Sequence, residues 1–234
     1  MATDSSSFYK GSEGYLGEPM ESKLLFLMRE PNCGKNLTVR QDEFWFKSVV
    51  EGDKQDKVYL SKLGQIASLL AFGKPATNDE ERRTALKQAI YINMNPVSGK
   101  GAKSPEYVKA LANFRYSGIS TTNDSCSVKV ELNSGEERIC EYPNRWNVIL
   151  GMPDGSCIVT VGDIFTAMFN RLEDAKMILS RMENKTLHIA TRKVWRTMRT
   201  FRFVYMNKTI TVLETLHPKA RADQFFQWND ISLE

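Results

Sequence analysis

The chain has 234 residues and 26.7 kDa, with 26% charged and 41% apolar residues, which excludes wholesale disorder. At this length about 70% of the unfolded surface is buried on folding, so no metal or disulfide staple is required. Lys plus Arg is 32 against 28 Asp plus Glu, a net of +4 that does little to oppose self-association.

In chain order, residues 1–20 are rich in Ser and Gly and read as an extended N-terminal arm, followed by one domain over 21–234. The start, Met1 to Ser7, lacks a basic and an apolar region, so no secretory signal is expected. Leu24–Met28 has strand length, and Pro31-Asn32-Cys33-Gly34 marks a turn. Glu43–Val50 reads as a second strand. Tyr59, Leu63, Ile66, Ala67 and Leu70 recur at helical spacing, and Gly73 and Pro75 end that helix. Asn78 or Asp79 caps a second helix with acids in its first turn. Ile90–Met94 alternates as a strand, and Ser104-Pro105 opens a short helix through Leu111. Cys126–Leu132 and Glu137–Tyr142 flank Asn133-Ser134-Gly135 as a hairpin. Trp146–Leu150 and Cys157–Val161 flank Pro153-Asp154-Gly155 as another. Asp163 caps a helix whose apolar stripe runs from Ile164 to Met182. Val194–Met206 and Thr209–Leu213 form a last hairpin, with a first arm that could start helical, and 217–234 is a polar tail. The number of hairpins favours α+β: an antiparallel β-sandwich with helices packed on it, over a doubly wound parallel fold.

The chemistry is sparse. Cys33, Cys126, Cys140 and Cys157 contain no CxxC pair, so they read as reduced thiols in a cytoplasmic setting. His188 and His217 stand without a paired carboxylate motif, so no catalytic residue, metal site or cofactor is assigned, and no enzymatic activity is expected. Gly99–Ser104 has the Gly/Lys character of a phosphate loop but not its spacing, so it reads as a basic loop with at most incidental anion binding. No apolar run approaches ~18 residues, and no membrane partner is expected. The most polarised stretch, Asn184–Leu213, holds seven cations and no acid, with Trp195, Phe201, Phe203 and Tyr205 interleaved. Arg192, Lys193, Arg196, Arg199 and Arg202 are its candidate contacts to nucleic acid or another anion. The alternative is a strand pair with an aromatic inner face and an Arg-rich outer face that pairs with acids of a neighbouring copy, such as Asp4, Glu13, Glu80 or Glu81.

Residues 89–180 carry an ordered series: the strand Ala89–Ile92 ending near Asn95-Pro96, Ser104-Pro105-Glu106-Tyr107, a hairpin with Gly135, Tyr142-Pro143 before Trp146–Leu150, and a helix opening at Val161-Gly162-Asp163-Ile164-Phe165. This series resembles the cypovirus polyhedrins, the occlusion-body proteins of insect viruses. The resemblance implies a flattened β-sandwich, trimers tied by an N-terminal arm, and a crystal lattice grown in the host-cell cytoplasm. That lattice would embed virus particles and dissolve at alkaline pH. Relatives that bind nucleotides suggest nucleotide or RNA as a further ligand, with no residue here matched to such a site. On ordinary side-chain pKa values the net charge would swing from +4 to about −21 at pH ~11, which is compatible with alkaline dissolution. The other reading from the residues is a nucleocapsid or matrix-type RNA-binding protein.

Overall fold

The structure, a computed structural model, describes residues 14–15, 22–29, 49–51, 57–94, 125–131, 137–180, 183–189, 194–218 and 226–227. Its framework is one mixed sheet with helices on both faces. The strands in chain order are β1 (Gly14–Tyr15), β2 (Leu24–Met28), β3 (Ala89–Asn93), β4 (Ser125–Glu131), β5 (Glu137–Pro143), β6 (Ser156–Val161), β7 (Ile178–Leu179), β8 (Glu183–Ile189), β9 (Val194–Tyr205), β10 (Lys208–Thr215) and β11 (Phe226–Gln227). The helices are α1 (Lys57–Phe72), α2 (Asp79–Leu86), α3 (Arg145–Gly151) and α4 (Asp163–Asp174). The main sheet has the order β1-β3-β2-β6-β10-β9-β8-β11, with β7 also on β9, while β4 and β5 form a separate antiparallel pair.

The α+β class stands, but the antiparallel sandwich is corrected. The four central strands, β3, β2, β6 and β10, are mutually parallel, and antiparallel pairing begins only outside them, at β1 and at β9. The physical reason lies in burial. Leu24–Met28, Ala89–Asn93 and Ser156–Val161 are buried at every position. Parallel strands covered on both faces read as continuous apolar runs, where a half-exposed antiparallel strand would alternate with polar residues. Alternate side chains divide between two cores. Leu25, Leu27, Ile90, Ile92, Ile158, Ile210 and Val212 face α3 and α4. Leu24, Phe26, Met28, Ala89, Tyr91, Cys157, Val159 and Leu213 face α1 and α2.

The topology follows a consistent rule. From β2 to β3 the chain steps outward in one direction through α1 and α2; from β6 to β10 it steps in the opposite direction past α4, on the opposite face. Reversing both direction and face keeps the same hand, as parallel crossovers do almost without exception.

Local signals account for most helix ends. Gly73 takes φ +70° and its N–H bonds Leu69 O at 3.0 Å, the left-handed C-terminal cap. Asn78, not Asp79, caps α2: its side chain accepts from Glu81 N, while Glu81 Oε2 accepts from Thr77 N at 2.7 Å. That hydrogen bond from the Thr77 backbone holds the Glu81 carboxyl below its usual pKa. Gly64 lets α2 approach α1, since a Cβ there would stand 2.5 Å from Arg82 Cβ.

Four local expectations are overturned. Trp146–Leu150 is helix, not a hairpin strand: Asn144 accepts from Trp146 N and Asn147 N as an N-cap, and Trp146, Ile149 and Leu150 share one buried face at helical spacing. Val49 and Val50 lie in a helical segment, not a strand, and pack into the α1/α2 core. The α4 stripe stops at Asp174, where Lys176 takes φ 55°, and Ile178–Leu179 joins β9 as a strand. Asp163 sits in the first turn of α4, and the capping position belongs to Gly162 at φ 58° with no side-chain cap bond.

The Gly135 hairpin forms as β4–β5, and β9–β10 form the last hairpin, turning at Met206-Asn207 with both residues at positive φ. The first arm of that hairpin is strand throughout. The Ser104–Leu111 helix, the Gly99–Ser104 loop and Cys33 lie outside the described residues, as do the arm apart from Gly14–Tyr15 and the tail apart from 217–218 and 226–227. Among the described residues no helix is long and apolar enough to cross a membrane.

Candidate functional site

In an open sheet built on parallel strands, ligands bind beyond the carboxyl ends of the strands, at the point where the strand order reverses. Here the order reverses between β2 and β6, because β3 lies on one side of β2 and β6 and β10 lie on the other. The chain leaving these strands converges on that edge. Beyond β2 comes Arg29, beyond β3 comes Met94, beyond β6 come Gly162 and Asp163, and beyond β10 come Leu216, His217 and Pro218.

Hydrogen bonds knit this edge together. Met94 N donates to Met28 O at 2.7 Å and Gly162 N to Thr215 O at 3.3 Å, tying the strand ends in pairs. Arg145, at the start of α3 and only 7% exposed, donates through Nε to Asn93 O at 2.8 Å. A guanidinium so nearly buried is costly unless hydrogen-bonded, and this bond fixes it at the end of β3. From α1, Lys62 Nζ donates to Pro218 O at 2.6 Å, and the Tyr59 ring meets His217 edge-on at 6.1 Å and 84°. His217 and Pro218, just beyond the end of β10, are therefore held by two residues one helical turn apart, Tyr59 against His217 and Lys62 on Pro218.

The β9–β10 ladder covers Thr200–Tyr205 only, while Val194–Thr200 pairs with β8. Since β9 runs antiparallel to β10, Val194–Thr197 continues past the end of β10 by about 13 Å at ~3.3 Å per residue. With the far half of β8 and with β11, it forms a ribbon overhanging the carboxyl edge.

The sequence candidates separate on this frame. Arg192 and Lys193 lie outside the described residues. Arg196 belongs to the overhanging ribbon, in register with Leu187, and His188 is in register with Trp195 and Gln227. Arg202 is exposed toward the other end of β9, where its backbone bonds Ser180. Arg199, half-buried, is committed to partners within the molecule. Its Nε and Nη2 grip Glu214 at 2.7 and 2.6 Å, Nη2 also donates to Thr166 at 3.1 Å, and its plane lies 4.9 Å from the Phe165 ring centre. It shares a sheet face with Phe201 and Phe203, so it departs from the Arg-out, aromatic-in pattern; its acid partner is intramolecular, not a neighbour's.

Reading the chain from sequence missed Arg145, Tyr59 and Lys62. They come together only once β2, β3, β6 and β10 are recognised as parallel, and the continuous apolar runs were the signal available for that. Among the described residues no group of three His, Cys, Asp or Glu could hold a metal ion. Comparison with protein-family models, with curated proteins and with solved structures finds no match to this chain.

Proposed function

We propose that this protein binds nucleic acid along the carboxyl edge of its parallel strands. The observation that carries this reading is the coincidence, at one edge, of the strand-order reversal and the overhanging β8–β9 ribbon with its acid-free, aromatic-interleaved sequence from Asn184 onward. At such a reversal the chain leaving neighbouring strands runs to opposite sides, which is where open parallel sheets seat a nucleotide. The ribbon supplies a cationic track along which a backbone can run. Arg145 and Lys62 add positive charge to the same edge, and the half-buried His217 ring, backed by the buried Tyr59, offers an aromatic face.

The test is fluorescence anisotropy with labelled DNA and RNA oligonucleotides of roughly 12 nucleotides, within the range of known single-strand site sizes. Affinity is expected to fall by at least tenfold between about 50 and about 200 mM salt as phosphate contacts release counterions. Arg196→Glu, in the ribbon, is expected to weaken binding by a further tenfold or more without lowering Tm, while Arg202→Glu, toward the other end of β9, is expected to change it far less. No binding at low salt overturns the reading.

The polyhedrin resemblance supports a second reading, a self-assembling occlusion-body protein that encloses virus particles in the host cytoplasm. Ile178 (73% exposed) and Met206 (76% exposed) add apolar surface suited to contact between copies. Expression in insect cells would then yield intracellular crystals that dissolve above about pH 10, as Lys and Tyr titrate. A soluble monomer at high concentration ends this second reading.

A further inference from the structure

We infer that Arg199 is a positioning residue that locks the root of the β8–β9 ribbon over the carboxyl edge, and is not itself a phosphate contact. The ribbon leaves the sheet where the β9–β10 ladder stops, at Thr200↔Leu213. Arg199 is the next residue outward, and Glu214 is the residue that continues β10 beside it. The two-pronged bond between them carries on the attachment of β9 to β10 through side chains after the backbone ladder has ended. The third bond, to Thr166, brings in the first turn of α4. Phe165 closes the fourth side: its ring lies under the guanidinium and meets Phe201 at 5.0 Å. One side chain therefore joins β9, β10 and α4 where the ribbon departs.

This rests on the nucleic-acid reading for its consequence in binding, but its structural half is tested separately. Hydrogen exchange on the whole chain compares wild type with Arg199→Gln. Amides of Asn184–Ile189 and Val194–Met198 are expected to exchange about tenfold faster or more in the variant, as for loss of a charge-assisted pair. Those of Leu24–Met28 are expected to keep their rate. Oligonucleotide affinity falls by about tenfold in the same variant. The reversed pair, Arg199→Glu with Glu214→Arg, restores both readouts in part; because it keeps both charges, it also guards against misfolding of the single variant. Equal acceleration of ribbon and core amides, or an unaltered ribbon, overturns the inference. A loosened ribbon with undiminished affinity overturns it too. If wild type binds no oligonucleotide, the functional reading fails and the exchange experiment still decides the role of Arg199.

Discussion

Phe165→Ala is expected to lower the unfolding free energy by about 3–5 kcal/mol, measured from the urea midpoint at constant m-value. Phe165 is fully buried in the first turn of α4 and packs edge-to-face against Phe201, which also meets Phe169 at 5.1 Å. Truncation leaves a cavity between helix and sheet and removes the ring beneath Arg199. Against a typical total stability of about 5–15 kcal/mol the loss is large, and for a chain of this length it corresponds to a Tm lower by roughly 6–20 °C. Phe165→Leu keeps most of the volume and is expected to cost less than half as much. A Phe165→Ala protein within about 1 kcal/mol of wild type would show that α4 is not packed on the sheet as described.

The second large effect is a loss of stability in alkali. Cys157 lies in β6 within the α1/α2 core as a free thiol, and burial pushes its pKa up from 9.0 to about 12. In the unfolded chain the thiol gives up its proton near pH 9, while in the folded chain it keeps it to about pH 12. Over that window the unfolded state binds fewer protons, so unfolding becomes easier as pH rises. The contribution is whole below pH 9 and is lost at a rate of order 1 kcal/mol per pH unit. Urea unfolding of wild type and Cys157→Ala at intervals from pH 8 to 11 isolates the term, because every other titrating group is common to both proteins. The wild-type advantage should shrink with each step above pH 9, and parallel curves would refute the assignment. Burial also corrects the alkaline charge arithmetic: Cys157 stays mostly a neutral thiol at pH ~11, so it does not add to the negative charge counted there.

The sequence and the structure agree where the deciding interactions are local. The Tyr59–Leu70 stripe with Gly73 and the Asn78 cap gave α1 and α2, and the two runs flanking Asn133-Ser134-Gly135 gave the antiparallel pair β4–β5. They part where a local signal was ambiguous. The apolar run Trp146–Leu150 fits a buried strand or one face of a short helix, and Asn144 decides for the helix by capping it. Cys157–Val161 reads as a hairpin arm beside Pro153-Asp154-Gly155, although its lack of a polar side is the mark of a strand buried on both faces, as in a parallel sheet. The basic stretch was visible as composition, yet composition could not distinguish Arg199, turned inward onto Glu214, from Arg202, which faces solvent.

What the amino-acid order determined alone is the set of elements held by neighbours in the chain: caps, glycine stops, tight turns and the apolar faces of helices. Those depend on contacts within about one helical turn or one hairpin, where the entropy of bringing groups together is small. Only the tertiary structure decided that β2, β3, β6 and β10 run parallel, that Arg145 reaches Asn93 across 52 positions, and that Tyr59 and Lys62 meet the His217-Pro218 corner. Such contacts form because several buried strands must cover both faces at once, a condition met by the whole sheet and by no single segment of it.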